Sequence, residues 1–131
     1  MDKQIIDECM RDSFADKPFP QVVARLAGAG VRGYRADLIK LRNTYYDDGR
    51  DAHDHAMRFD DAPEISAGFE PEDVAKAVRA IQRQEIGYGE FLRRIMRAGC
   101  ASYCVYFGGR KVVYVGRDGQ EYVEPFPAPK S

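Results

Sequence analysis

The sequence lacks several features that would assign it to a common class. No apolar run approaches the ~20 residues that a membrane-spanning helix needs. The polar N-terminus, MDKQIIDECM, has neither the basic start nor the apolar core of a signal peptide. The formal net charge is −1, so the basic excess typical of nucleic-acid-binding domains is missing. The three cysteines lack the CxxC spacing of metal sites. These absences predict a cytoplasmic chain with reduced cysteines, and they argue against membrane and nucleic-acid partners.

Motifs of the common enzyme classes are also missing. The chain contains no dinucleotide fingerprint, P-loop, HExxH zinc motif or serine nucleophile elbow. Gly108-Gly109 precedes two basic residues, but no helix starts there to bind a phosphate, so a tight hairpin turn is the better interpretation. The sequence therefore indicates no particular cofactor and inclines us away from an enzyme.

An internal repeat is the most informative feature that is present. Residues 19–49 align with residues 88–119 at an offset of 69, which places Phe19 on Tyr88. The same offset aligns Ala29-Gly30 with Ala98-Gly99, Tyr34 with Tyr103, and Tyr45 with Tyr114. One inserted residue then aligns Asp48-Gly49 with Asp118-Gly119. A repeat of this length predicts the duplication of one supersecondary unit.

Apolar spacing and turn residues predict the elements of the first copy. A helix from about Lys3 to Phe14 has Ile and Met residues at helical spacing. A second helix starts at about Pro20 and stops at Gly30, a residue that tolerates the left-handed conformation. Residues 31–56 are rich in tyrosine and aliphatic residues and contain an Asp-Gly turn, which favours three strands.

The second copy has the same predicted order. A helix begins at Pro71 with acidic residues in its first turn and is expected to end just before Gly87. A shorter helix stops at Gly99, and three strands follow, the last ending before Pro125. Between the copies, a linker of about residues 57–70 is expected on the surface with irregular structure.

Together these elements predict an α+β fold that duplicates a helix-helix-antiparallel-meander unit, with the helices packed on antiparallel sheet. A length of 131 residues fits one domain. Within it, unit one covers about 1–56, the linker about 57–70 and unit two about 71–127. The sequence leaves open whether the two meanders join into one sheet.

The second copy resembles a known family. The stretch YGEFLRRIMRAGCASYCVYFGGRKVVYVGRDGQEYVEPFP, from Tyr88, is similar to the signature half of the YbcV-like proteins, and FPQVVARLAGAGVRGYRADLIKLRNTYYDDG is similar to their other half. These are small uncharacterised bacterial proteins, some of them labelled phage envelope protein. The resemblance implies an α+β fold and a bacterial or phage-related origin. It assigns no functional residue, because the family has no established catalytic set.

The chain's two histidines form the first candidate site. On a strand, Asp51, His53 and His55 would share one face, and two imidazoles with a carboxylate can hold a transition metal. At an offset of 70, the second copy has Val123 and Pro125 in place of the histidines. The alternative interpretation is a solvated surface strand with incidental histidines.

The repeated tyrosines form the second candidate site. Tyr34, Tyr45, Tyr103 and Tyr114 occupy matching positions of the two copies. They could line a cleft between the repeats, where tyrosine offers an apolar face and a hydroxyl to a ligand. The alternative interpretation is core packing, because a duplicated fold duplicates its core. The binding interpretation requires tyrosines that are exposed between the repeats.

We therefore expect a non-enzymatic module that binds an unidentified small molecule or protein between its two repeats. One alternative is a metal-dependent enzyme that uses the His53/His55 cluster. Another is a phage-related structural or host-interaction protein. The expected oligomeric state is a monomer or a homodimer.

Overall fold

A computed structural model describes residues 1–127 of the chain. Within this range, two helices followed by three strands occur twice, which confirms the α+β class. The helices are α1 (Lys3–Phe14), α2 (Phe19–Gly28), α3 (Pro71–Gln82) and α4 (Tyr88–Arg97). The strands are β1 (Gly33–Asp37), β2 (Arg42–Tyr46), β3 (Ala52–Ala56), β4 (Cys100–Tyr106), β5 (Lys111–Gly116) and β6 (Glu121–Pro125).

These six strands form one antiparallel sheet in the order β3-β2-β1-β4-β5-β6. The two meanders are thus joined, a point that the sequence left open. β1 and β4 form the central seam, in which Tyr34 lies opposite Val105 and Ala36 lies opposite Tyr103. An offset of 69 relates Tyr34 to Tyr103 and Ala36 to Val105, so it converts each pair into the other. The seam therefore has the pairing pattern of a twofold axis. The edges of the sheet are β3 and β6.

Strand pairing within each half repeats at the same offset. Tyr34 lies opposite Tyr45 in the first half, and Tyr103 lies opposite Tyr114 in the second. Backbone conformation repeats as well, because Gly30 and Gly99 have φ angles of 92° and 88°, and Leu41 and Arg110 have 56° and 53°. A duplicated unit would produce these matches, and the common origin of the halves stays a prediction.

The edge strands correct one part of the repeat alignment. His53 lies opposite Tyr45 in β3, and Tyr122 lies opposite Tyr114 in β6. The offset is therefore still 69 at the edges, so Tyr122 and Glu124 are the counterparts of His53 and His55. The predicted counterparts Val123 and Pro125 are wrong. The turns explain the error, because seven residues separate Tyr45 from His53 and seven separate Tyr114 from Tyr122. The two Asp-Gly pairs therefore take different places in turns of equal length, and the inserted residue that aligned them does not exist.

The helices pack on one face of the sheet. Alternate strand residues, among them Tyr34, Ala36 and Val105, point toward the helices and join a core cluster that contains residues of both halves. On the other face, Tyr106 and Val123 remain substantially exposed. An antiparallel sheet with one packed and one solvated face gives this alternation.

Helix α3 ends earlier than predicted. It stops at Gln82 rather than just before Gly87, and Gln84 takes the left-handed conformation with a φ of 58°. The backbone N–H of Glu85 then donates to the carbonyl of Ala80, which closes the helix end. The prediction took a glycine as the sign of the helix end and so missed this one. A residue other than glycine can adopt the left-handed conformation at a cost of only about 1–2 kcal/mol.

The linker has irregular structure, as predicted, but it does not lie wholly on the surface. Met57 and Phe59 are buried in the core. The ring of Phe59 packs 6.2 Å from that of Phe14, and the guanidinium of Arg93 lies 5.1 Å from its centroid. The expectation failed because it weighed the linker's polar composition and overlooked two apolar side chains spaced to enter the core.

Across residues 1–127, no helix has both the length and the apolar character needed to cross a membrane.

Candidate ligand-binding cavity

A row of tyrosine rings crosses the helix-facing side of the sheet. The register aligns them, because period-two geometry puts Tyr34, Tyr45, Tyr103 and Tyr114 on the same face. Ring centroids are 5.1 Å apart for Tyr34–Tyr45, 6.3 Å for Tyr34–Tyr103 and 5.4 Å for Tyr103–Tyr114. All four residues are at most 6% exposed. They are therefore core residues, and a binding surface of exposed tyrosines does not exist at these positions.

Three of these tyrosines nevertheless lie at the base of a cavity of about 810 Å³ that opens to solvent. Tyr34, Tyr103 and Tyr114 contribute from the sheet, whereas Tyr45 does not line it. The opposite wall comes from the start of α2, the last turns of α3 and the start of α4, where Phe91 lies 6.2 Å from Tyr114. The cavity thus lies between sheet and helices and is lined by residues of both halves.

The corresponding space in the first half is occupied by the linker. After β3, the N–H of Met57 donates to the carbonyl of Leu41, and after β6 the N–H of Phe126 donates to Arg110 in the equivalent bond. From this shared backbone position, Met57 enters the core, whereas Phe126 stays partly exposed and lines the cavity. Phe59, two residues further, adds a second buried side chain. At equivalent positions, the linker thus fills the core with Met57, whereas Phe126 leaves open space beside it.

The hydroxyl groups on the cavity wall are neutral hydrogen-bonding groups. Those of Tyr88 and Tyr103 are hydrogen-bonded to each other, 2.5 Å apart. Burial raises the pKa of Tyr88 to about 12, and it raises the pKa values of Tyr34, Tyr103 and Tyr114 well above the ordinary value. Whichever hydroxyl of the Tyr88–Tyr103 pair donates, the proton of the other is free to bind an acceptor. The wall can therefore orient a polar group of an otherwise apolar ligand.

One carboxylate borders the tyrosine row. Glu124 accepts hydrogen bonds from Tyr122 at 2.7 Å and from Arg79 at 2.9 Å, and its side chain is only 12% exposed. Burial acts to raise the pKa of Glu124, but the bonds from Arg79 and Tyr122 outweigh burial and lower that pKa below its usual value. The cavity wall thus includes an ionised, partly buried carboxylate.

The histidine site has a different composition from the one predicted. The Nε2 atoms of His53 and His55 lie 3.0 Å and 3.4 Å from Oδ1 of Asp7, which is on α1. Asp51 lies just before β3 and is exposed. Within residues 1–127, no group of three or more His, Cys, Asp and Glu side chains is arranged to hold a metal ion. The contacts of Asp7 attach α1 to the edge strand, and the metal-site hypothesis stays a prediction without geometric support.

Burial makes the thiol of Cys100 a poor nucleophile. Cys100 is fully buried, and burial raises its thiol pKa to about 12, so thiolate is scarce near neutral pH. A bulge between Cys100 and Ser102 interrupts the alternation of β4, which separates Cys100 in the core from the partly exposed Cys104.

The sequence analysis did not identify several residues that make the contacts described above. Tyr88 aligns with Phe19 at the start of the repeat, so the alignment contained a signal for a paired aromatic position. Glu124 and Arg79 had no such signal, because their pairing depends on how α3 lies along β6. Asp7 was missed for the same reason.

The sequence matches no protein-family model, and comparison with curated proteins found no match. The resemblance to YbcV-like proteins therefore stays a prediction.

Proposed function

We propose that the protein is a non-enzymatic module that binds a small, largely apolar molecule in the cavity between the sheet and the helices. The observation that carries this proposal is the cavity of about 810 Å³ with Tyr34, Tyr103 and Tyr114 on its wall. Ligand pockets typically have volumes of roughly 300–1,000 Å³ and are lined by apolar and aromatic side chains with a few polar groups. Tyrosine hydroxyls and Glu124 supply those polar groups here.

A small molecule fits this site better than a protein does. The four repeated tyrosines are buried, so a protein surface cannot reach them without opening the core. Exposed lining residues such as Phe19 and Glu85 mark where the cavity meets solvent.

The neutral apolar dye N-phenyl-1-naphthylamine provides a direct test, since its fluorescence rises when it leaves water. Ile81→Trp places a large aromatic ring in the cavity lining, and we expect a steric cost of about 1–3 kcal/mol to weaken dye binding by about fivefold or more.

The matched control is Val123→Trp, the same substitution at an exposed position on the opposite face of the sheet. We expect it to leave dye affinity within about twofold, because a surface substitution away from the site usually has an effect within ±0.5 kcal/mol. Urea unfolding of both variants confirms that they remain folded. Absence of saturable dye binding, or equal weakening by both variants, would overturn the proposal.

A further inference from the structure

Most of the charged residues that line the cavity are acidic. Four charged residues contribute to it, of which Asp16, Glu85 and Glu124 are acidic and Lys17 is basic. Arg79, which neutralises part of the charge of Glu124, is half exposed and lies outside the lining. Within the described residues, no arginine lines the cavity. An anionic ligand would therefore meet three carboxylates and only one basic group, the ammonium of Lys17.

Two of the acidic groups are held in place. Asp16 has a φ of 63°, and its Oδ1 accepts the backbone N–H of Tyr88 at 3.0 Å. Glu124 is held by Tyr122 and Arg79. The side chain of Glu124 is only 12% exposed, so its charge acts more strongly on a ligand than that of Asp16, which is exposed and screened by water.

The aromatic rings add to the same preference. The face of an aromatic ring carries the negative part of its quadrupole and attracts a cation within about 6 Å of its centroid. The accessible rings of the lining are those of Phe19, which is 38% exposed, and of the partly exposed Phe126, whose centroids lie 5.8 Å apart in an edge-to-face arrangement. The three sheet tyrosines of the lining are neutral and at most 6% exposed, so they contribute mainly apolar edges to the wall.

We propose that the ligand is an organic cation, an apolar molecule that carries a quaternary or protonated nitrogen beside an aromatic or aliphatic body. Its apolar body would contact the tyrosine rings and its charge would face Asp16 and Glu124. This inference rests on the proposed binding function and names the class of molecule that the site selects.

The experiment compares two molecules of the same shape that differ in charge. The 3-hydroxyphenyltrimethylammonium cation and the neutral 3-tert-butylphenol differ by the exchange of nitrogen for carbon. Isothermal titration and displacement of N-phenyl-1-naphthylamine give both affinities. Although the neutral compound is the more apolar, we expect the cation to bind at least as tightly, because contact with ring faces and carboxylates is worth about 0.5–2 kcal/mol or more.

Isosteric variants assign the charge preference to residues. Glu124→Gln keeps oxygen and nitrogen atoms for the Arg79 and Tyr122 bonds, and Asp16→Asn suits the left-handed conformation. We expect each to weaken cation binding by about fivefold to tenfold while leaving 3-tert-butylphenol within about twofold. Glu121→Gln is the matched control, because Glu121 is an exposed residue of the same strand outside the cavity lining.

The outcomes separate this inference from the proposed function. If the dye and 3-tert-butylphenol bind but the cation binds more weakly, the charge preference is overturned and the cavity remains a binding site. If Glu121→Gln weakens the cation as much as Glu124→Gln does, general surface charge explains the effect and the inference is again overturned. If neither the dye nor either compound binds, both proposals fail together.

Discussion

Gly99 and Gly30 offer a matched pair of positions at which the packing of the linker can be measured. They lie 69 residues apart, follow equivalent helices and have φ angles of 88° and 92°. Alanine at either position must adopt a left-handed backbone, which costs an L-residue about 1–2 kcal/mol. Their surroundings differ, however. A Cβ at Gly30 would meet Met1 in ordinary contact at 3.6 Å, whereas a Cβ at Gly99 would collide with the backbone carbonyl of Gly68.

We therefore expect Gly99→Ala to cost more than Gly30→Ala. Relief of the collision requires the linker backbone to move, and overpacking of this kind adds about 1–3 kcal/mol. For a chain of this length, 1 kcal/mol corresponds to a shift of about 4 °C in Tm. Gly30→Ala should thus lower Tm by about 4–8 °C, and Gly99→Ala by about 4–12 °C more.

Urea unfolding and thermal melting measure both costs on the same scale. Gly28→Ala serves as the control, since Gly28 ends α2 without a positive φ and a Cβ there meets nothing within 4 Å. That substitution should be neutral or stabilise by up to about 1 kcal/mol. Equal losses for Gly99→Ala and Gly30→Ala, within about 0.5 kcal/mol, would refute the argument that close approach of the linker makes Gly99 the more demanding position.

Two further predictions follow from burial. Burial raises the pKa of Tyr88 from an ordinary 10.0 to about 12. The stability that the neutral Tyr88 side chain contributes is therefore intact below about pH 10 and is lost as the pH rises toward 12. The urea midpoint should fall less steeply between about pH 9 and pH 11 for Tyr88→Phe than for the wild type, and parallel curves would contradict this. Phe59→Ala should lower the free energy of unfolding by about 3–5 kcal/mol, because it empties the space that the linker fills. Phe19→Ala, at a position that is 38% exposed, should cost about 1 kcal/mol. If chemical unfolding gave similar losses of stability for both variants, the buried ring of Phe59 would not be filling the core as argued.

The sequence was sufficient for those features that depend on local pattern. Proline, glycine and apolar spacing located α1 and α4 closely, and the repeat aligned Tyr34 with Tyr103 before any strand pairing was known. The pattern could not decide whether the tyrosines were core or surface. Period two says only that they share a face, and the burial of that face depends on the packing of all four helices.

The candidate site was less predictable because it depends on contacts between distant segments. The pairing of Arg79 with Glu124 joins residues 45 positions apart, and that of Asp7 with His53 joins residues 46 apart. No spacing rule covers such pairs. One wall of the cavity depends on Phe126, which stays partly exposed, whereas Met57 at the matching position is buried in the core. Two apolar residues at matching positions gave no hint of this difference.

The central seam between β1 and β4 has the geometry of an isologous dimer interface, in which a strand pairs with the twofold-related copy of itself. In a true homodimer, every substitution is made twice, so a residue that fills one half also fills the other. A single covalent chain removes this constraint. Matching positions can then differ, as Met57 and Phe126 do, while the symmetric seam holds both halves in one sheet. This asymmetry depends on the linker that makes the two halves one molecule.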